Sequence, residues 1–387
     1  MTIKPKKIYE ITVPPSKSYL HRALIGAFLC KDKCHIKNIY HSQDIDTTIK
    51  ALESLNKNDI INCNECASTL RFLIPLSLVI NSKGAFCFEE SLGKRPLEEY
   101  LNIFDTKGIK YSKNKDNLVV QGNLKPKIYN IQGNVSSQFL TGLLLALPLL
   151  KGNSEIHIEQ DLQSRPYIDI TLDILKDFGI EIENQNYKFF KIKGNQEYKC
   201  KEYACEGDWS TGAFWYFLSQ KYNINEPLLV GLRGAKRPWG GRLLKINNLN
   251  TNSIQPDAQV TKITPNLPKV YNAKDTPDLV PLIVAYAIGT NQEIKITDCE
   301  RLKYKESNRL LALKEFEKIG GKIKIDDNSI IIDKSQSLKS GFLNSFHDHR
   351  IVMAYALFSF LTNIKIETDD IDCLKKSYPE LIDIIKG

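Results

Sequence analysis

The sequence predicts an α/β protein of about two domains, assembled from one motif used six times. Three observations lead there. Six stretches share a small or charged polar cluster followed by a long apolar run of helical character, opening at residues 16, 67, 136, 208, 276 and 348. After the first interval the openings recur about every 70 residues, the mark of an internal structural repeat. Between them lie short stretches of alternating polarity bounded by turn residues, which read as half-buried strands. Finally, 387 residues exceed what one hydrophobic core ordinarily serves.

The apolar helices are read, in order, from "SKSYLHRALIGAFLC" at Ser16, "ASTLRFLIPLSLVI" at Ala67 and "SSQFLTGLLLALPLL" at Ser136. The others are "DWSTGAFWYFLSQ" at Asp208, "TPDLVPLIVAYAIG" at Thr276 and "DHRIVMAYALFSF" at Asp348. Strands are expected in "KDNLVVQGN" (115–123), "NSEIHIEQD" (153–161), "GIEIENQNYKFFKIKG" (179–194), "NQEIKITDCE" (291–300) and "GGKIKIDDNSIIID" (320–333). A second kind of helix, ending at glycine, is expected in "SRPYIDITLDILKDFG" (164–179) and "SNRLLALKEFEKIGG" (307–321); glycine is a common helix stop. One unit is thus about two helices and a few strands.

Helices of the first kind are apolar on every side after the opening turn, so they should be buried. Only their N-termini can reach solvent, carrying unpaired N–H groups and the positive dipole end. Such ends are anion sites, and six of them could face one shared space. N-capping explains Ser, Thr and Asp there. It does not explain Lys17, Arg22, Arg71 and Arg350.

The formal charge of +8 admits nucleic acid, anionic lipid or small anionic substrates. The lysines are mostly dispersed (Lys31, Lys33, Lys188, Lys191), and no basic run is interleaved with aromatics as in a single-strand binder. The basic "MTIKPKKIYE" is not followed by an apolar stretch, so no secretory signal is expected. The longest apolar run, residues 140–150, contains Gly and Pro and falls short of the ~20 residues of a membrane span. A cytoplasmic location is expected. Nine cysteines, an odd number scattered along the chain, argue against a disulfide framework. Cys63 and Cys66 form a lone CxxC without a second pair or spaced histidines, so they are read as two thiols beside a buried helix rather than as zinc ligands.

Ten motifs then carry a family resemblance: "PPSKSYLHR", "STLRFLIP", "GKRPLEEYL", "VSSQFLTGLLLALPL", "SRPYIDIT", "EGDWS", "PDLVP", "RLKYKESNRL", "HDHRIVMA" and "KKSYP". Their order, from about residue 11 to 380, resembles the EPSP synthase family (3-phosphoshikimate 1-carboxyvinyltransferase). The resemblance implies a two-domain inverse α/β barrel of six βαβαββ repeats, three per domain. The domains would be 14–208 and the combination of 1–13 with 209–387, with the active site in the interdomain cleft. It implies transfer of the enolpyruvyl group of phosphoenolpyruvate to the 5-hydroxyl of shikimate 3-phosphate, by addition and elimination of phosphate. No metal or organic cofactor is implied, and a monomer acting on small molecules, without nucleic acid or membrane, is expected.

Residue by residue, Lys17 resembles the family lysine that touches both substrates. Ser18, Arg22, Ser136, Ser137, Gln138, Ser164, Tyr167, Asp278 and Lys305 match shikimate 3-phosphate ligands. Ala67, Arg95, Gln138, Arg309, Arg350 and Lys376 match the phosphoenolpyruvate side. Asp278 matches the candidate general base and Glu306 the candidate proton donor, with His349 and Lys376 placed to help proton traffic or phosphate departure. Two phosphates and two carboxylates need several cations, and arginine forks bind them bidentately.

The chain also departs from the pattern. Ala67 stands where the family usually has glycine, so its methyl should narrow the pocket and lower sensitivity to the bulkier mimic glyphosate. Arg165 keeps a charge often supplied by lysine, Arg301 replaces an asparagine ligand of some members, and residues 231–250 follow the pattern poorly. Two rival readings are a related transferase acting on UDP-N-acetylglucosamine and a non-catalytic anion-binding repeat protein. The first family opens with a Lys-Asn pair, where this chain has Lys17-Ser18. Intact Asp278, Glu306 and Lys376 weigh against the second.

Overall fold

The chain divides into two units, one formed by residues 17–205 and the other by 1–16 with 206–387; the sequence reading placed the boundaries at 14 and 208. The computed structural model describes residues 2–3, 10–200, 202–220, 228–230, 245–335 and 337–386. Of the segment 231–250, residues 231–244 lie outside the described part.

In the 17–205 unit the apolar stretches form α1 (Lys17–Leu29), α2 (Ala67–Ile80) and α3 (Ser137–Ala146). In the other unit they form α4 (Trp209–Gln220), α5 (Val280–Gly289) and α6 (His349–Thr362). The absence of a polar stripe has the expected result: α6 is buried without a break from His349 to Leu361, and α5 from Val280 to Ile288.

Around α2 the chain runs through strand Ile61–Asn62, the helix, strand Lys83–Cys87, helix Glu98–Lys107, and strands Lys110–Lys113 and Asn117–Gln121. The first two strands pair in parallel across the helical crossover and the last two add antiparallel. This is a βαβαββ unit. The same order recurs around α3, with strands 128–132, 154–159, 182–185 and 189–192, and around α5, with strands 270–272, 294–297, 322–325 and 329–333. Alternation along the strands works as read: Leu118 and Val120 are buried, whereas Val119 between them is 47% exposed.

The N-terminal strands complete two repeats of the second unit. Thr2–Ile3 pairs with Ile366–Thr368, and Glu10–Thr12 lies parallel to Lys245–Asn247. The chain's two crossings run side by side, Ser16 N donating to Glu206 O at 2.7 Å and Asp208 N to Pro14 O at 2.8 Å. Gly207 is required there, because a Cβ would stand 1.8 Å from the Asn248 carbonyl oxygen.

Two elements differ from expectation. The helix expected over 307–321 is α-helical only from Arg309 to Leu313 and tightens into a 3₁₀ helix from Lys314 to Ile319, ending at Gly320 with φ 92°, a left-handed stop. Helix α5 begins at Val280 rather than at Thr276. Residues 276–279 form a turn closed by Leu279 N to Thr276 O at 3.1 Å, and Pro281 sits in the first helical turn, where its missing N–H is harmless. Asp278 therefore precedes the helix.

Helix α2 contains Pro75, which cannot donate to the Arg71 carbonyl four residues back. The Tyr100 hydroxyl donates there instead, at 2.8 Å, and lies 3.0 Å from the Phe139 carbonyl of α3. Gly142 permits this closeness, since a Cβ on it would fall 2.2 Å from the Tyr100 oxygen. Among the described residues, no helix is long and apolar enough to cross a membrane.

Candidate active site

Three hydrogen-bonded links tie the first turns of α1, α2 and α3 together. Arg22 of α1 reaches Thr141 of α3 at 3.4 Å. Arg71 of α2 donates to Gln138 Oε1 of α3 at 2.8 Å, and Gln138 Nε2 donates to Ser68 at 3.0 Å. His21 of α1 and Thr69 of α2 both meet the Thr48 hydroxyl at 2.7 Å. Helix N-termini carrying cations, hydroxyls and an amide thus converge in this unit. The Ser136 hydroxyl caps α3 by accepting from Gln138 N, and Ser137 is buried beside it. Arg71 also donates to the Pro96 carbonyl, next to half-buried Arg95.

Arg22 is 4% exposed. Its donors go to the Thr171 hydroxyl at 2.8 Å, the Ser18 carbonyl at 2.7 Å and the Tyr167 carbonyl at 3.3 Å, and the guanidinium lies over the Phe72 ring. Among the described residues, no carboxylate stands within ion-pair distance of it. Burial pulls its pKa down to about 10, so it stays charged at neutral pH. Lys17, in contrast, pairs with Asp44 at 2.8 Å. Ser164 is buried with φ 58°, one residue before the helix that carries Tyr167. Burial lowers the His21 pKa to about 3 and raises that of Cys66 to about 12, leaving both neutral.

In the second unit the site residues gather around Arg309, which is 1% exposed. Its Nε and Nη2 form a fork on Asp348 at 2.8 and 3.2 Å, Nη1 donates to Asp278 at 2.7 Å, and Nη2 to Glu306 at 2.6 Å. Asp348 also caps α6, accepting from Arg350 N, and takes the Ser307 hydroxyl. Lys305 Nζ stands 3.4 Å from the same Asp278 oxygen, and burial lowers its pKa. Burial alone would raise the Asp278 pKa, but Lys305, Arg309 and Arg350 together hold it far below the usual carboxylate range. Arg350, 5% exposed, donates to the Ser210 carbonyl at 3.1 Å. As with Arg22, no carboxylate among the described residues comes within ion-pair distance, although burial is outweighed by Asp278, Asp208 and Asp257 nearby, which raise its pKa. His349 and Lys376 are buried, at the head of α6 and at the end of the turn Asp372–Lys376.

Asp257 was not legible as a site residue. It is 1% exposed, accepts from Ser210 at 2.5 Å, and is pushed from 3.8 up to about 7 by burial and by the charge of Asp278. A carboxyl whose folded pKa is raised contributes stability that is full below its unfolded pKa and lost as pH rises through the folded value. Asp257→Asn should therefore gain on the native protein by on the order of 4 kcal/mol between about pH 4 and pH 8. Urea midpoints of both proteins across that range measure this; a pH-independent difference would refute it.

The family model of EPSP synthase (3-phosphoshikimate 1-carboxyvinyltransferase) matches residues 5–62 and 54–385. The chain belongs to the EPSP synthase family. Proteins named 3-phosphoshikimate 1-carboxyvinyltransferase from Clostridium perfringens (strain SM101 / Type A) and Clostridioides difficile (strain 630) are 38% and 37% identical to it. The first alignment covers 97% of this chain and 95% of the relative, the second 98% and 95%. The fold is that of a solved EPSP synthase from Acinetobacter baumannii, with a TM-score of 0.75 over 100% of this chain and 97% of that one at 16% identity.

Of the residues expected at an EPSP synthase site, the 17–205 unit brings together Ser18, Arg22 and Tyr167, and joins Ser136 to Gln138. Ala67 is the buried first residue of α2. The other unit brings together Asp278, Lys305, Glu306 and Arg309. Arg309, expected on phosphoenolpyruvate, has three carboxylates around it. Asp44, Arg71, Asp257 and Asp348 were not picked out as ligands; their partners lie 27 to 67 residues away along the chain. Two of them carried a local signal, Arg71 as a helix-start cation that capping does not explain and Asp348 as a capping aspartate; Asp44 and Asp257 carried none.

Proposed function

We propose that this chain transfers the enolpyruvyl group of phosphoenolpyruvate to the 5-hydroxyl of shikimate 3-phosphate and releases phosphate, with the residues named above in the following roles. The observation that carries the reading is the pair of buried arginines, Arg22 and Arg350, charged yet, among the described residues, without a carboxylate at contact distance. A buried cation satisfied by neutral oxygens is suited to receive an anion. Arg22, Ser18, Ser136, Ser137, Gln138, Ser164, Tyr167 and Lys305 hold shikimate 3-phosphate. Lys17, Ala67, Arg95, Arg350 and Lys376 face phosphoenolpyruvate, with Arg309 fixing the carboxylates near it.

In the addition step a bond forms between the 5-oxygen and the enol carbon, the hydroxyl proton leaves, and the methylene carbon takes a proton. Elimination removes a methyl proton and breaks the carbon–oxygen bond to phosphate. Asp278 enters the reaction ionised, so it accepts from ring hydroxyls. It takes the 5-hydroxyl proton only as the new bond makes that proton strongly acidic. Glu306, paired with Arg309, delivers a proton relayed to it, and His349 and Lys376 serve proton traffic and the leaving phosphate.

The test is phosphate release by purified protein. Release from phosphoenolpyruvate that requires shikimate 3-phosphate is expected. Failure to release, or release that requires UDP-N-acetylglucosamine instead, would overturn the proposal.

A further inference from the structure

His21, Asp44 and Cys66 come from α1, from the helix Gln43–Lys57 and from the residue preceding α2, and each offers a ligand atom within 4.8 Å of the others. They are 1%, 6% and 2% exposed. We infer that these three side chains form a binding site for a thiophilic divalent cation, zinc by preference, beside Lys17.

The donor set is one imidazole nitrogen, one thiolate and one carboxylate, a combination that suits a borderline-soft ion and leaves a fourth, open position. The imidazole is held as metal-binding histidines are, through its other nitrogen. Nδ1 lies 2.7 Å from the Thr48 hydroxyl, which in turn donates to the Thr69 hydroxyl at 2.7 Å. Nε2 faces the Cys66 sulfur at 4.0 Å. A tetrahedral zinc ion needs these two atoms about 3.6 Å apart, so this pair closes by a few tenths of an ångström, and the Asp44 oxygen, within 4.8 Å of both, moves in by up to about an ångström. The Thr69 hydroxyl, 3.1 Å from the sulfur, supports the thiolate as a hydrogen-bond donor. Entry is past Lys17, whose side chain is 22% exposed, against 9% for Asp44.

Binding involves no electron transfer. The thiol proton passes to water, the sulfur, Nε2 and one carboxylate oxygen replace waters on the ion, and the fourth position keeps a water. The Asp44 carboxylate is then drawn from Lys17, and a divalent charge is set next to that ammonium. Zinc should consequently inhibit, a consequence that rests on the role proposed for Lys17; the binding itself does not.

Cobalt(II) titrated into metal-free protein is the direct probe. A thiolate-to-cobalt charge-transfer band and tetrahedral visible bands are expected, saturating at one equivalent. Cys66→Ser should abolish the charge-transfer band and His21→Asn should alter the visible bands, with circular dichroism and melting checking that both variants fold. A variant with the partly exposed Cys30, Cys34, Cys87, Cys200 and Cys373 changed to serine should keep the spectrum. No band in the native protein, a band surviving Cys66→Ser, or one lost from the five-serine variant overturns the site. In parallel, zinc should inhibit phosphate release reversibly with a chelator, and at least ten-fold less strongly in Cys66→Ser. A cobalt site with undiminished activity in zinc overturns the coupling to Lys17 alone.

Discussion

Arg309→Met is expected to lower the stability of the unit formed by residues 1–16 and 206–387 by about 3–5 kcal/mol, a large part of what holds a domain together. Methionine fills much of the arginine's volume, so the loss is electrostatic. It leaves Asp348, fully buried, and Asp278 and Glu306, 24% and 17% exposed, facing one another without the guanidinium that bonds to all three, while Lys305 and Arg350 still act on Asp278. Lys305 reaches only Asp278, at 3.4 Å. Each uncompensated carboxylate must then be desolvated, repelled or protonated. Urea unfolding followed by tryptophan fluorescence is a suitable measure, since Trp209 and Trp215 are both buried in α4 of that unit. Adding Asp348→Asn to Arg309→Met should recover part of the loss, because the most buried of the three charges is then gone. The sign of the pH effect follows from Asp278, whose pKa in the native protein lies far below the ordinary value. Its stabilising contribution is present above the unfolded pKa and fades as pH falls, so the gap between native and variant should narrow below about pH 4. A loss under about 1 kcal/mol at neutral pH would mean that the three carboxylates do not depend on Arg309.

The repeat was legible because its signal is local. An apolar run of helical period after a polar cluster identifies a buried helix whatever its neighbours are, and all six were found where the sequence put them, with α5 starting late because of its prolines. The strands were legible for the same reason, since alternation is a property of consecutive residues. The site was legible only in part. Cations at helix starts stood out because capping does not need them, so Lys17, Arg22, Arg71 and Arg350 were set apart on physical grounds. What surrounds them was not. Whether a buried arginine sits among carboxylates or among neutral oxygens depends on residues far along the chain: Thr171 is 149 residues from Arg22, and Asp348 is 39 from Arg309. No period or spacing reports such a meeting. The same holds for His21 and Cys66, 45 residues apart; the CxxC was read as two thiols beside a buried helix, and its spacing carries no sign of the histidine that the fold brings to Cys66.

Arg22→Met should separate stability from activity in the opposite sense to Arg309→Met. Arg22 is buried with its donors on two hydroxyls and two carbonyls, and among the described residues the charge has no carboxylate in contact. Removing it relieves a desolvated charge, while the groups left behind are able to regroup: Thr141 and Thr171 already lie 3.0 Å apart, and the Thr171 hydroxyl reaches the Tyr167 carbonyl at 2.9 Å. Unfolding free energy should stay within about 1 kcal/mol of the native value, since exchanging a buried charge for an apolar side chain of similar volume is often neutral. Substrate binding should suffer far more. An arginine fork on a phosphate or carboxylate makes two charge-assisted hydrogen bonds at about 1.5–3 kcal/mol each, so kcat/KM for shikimate 3-phosphate should fall by about 10²–10⁴, with KM for phosphoenolpyruvate changing much less. Arg22→Lys should restore only part of the loss, because an ammonium keeps the charge but not the fork. If Arg22→Met were strongly destabilised and turned over shikimate 3-phosphate normally once folded, the buried guanidinium would be a brace joining α1 to α3, and the anion would have to be held elsewhere.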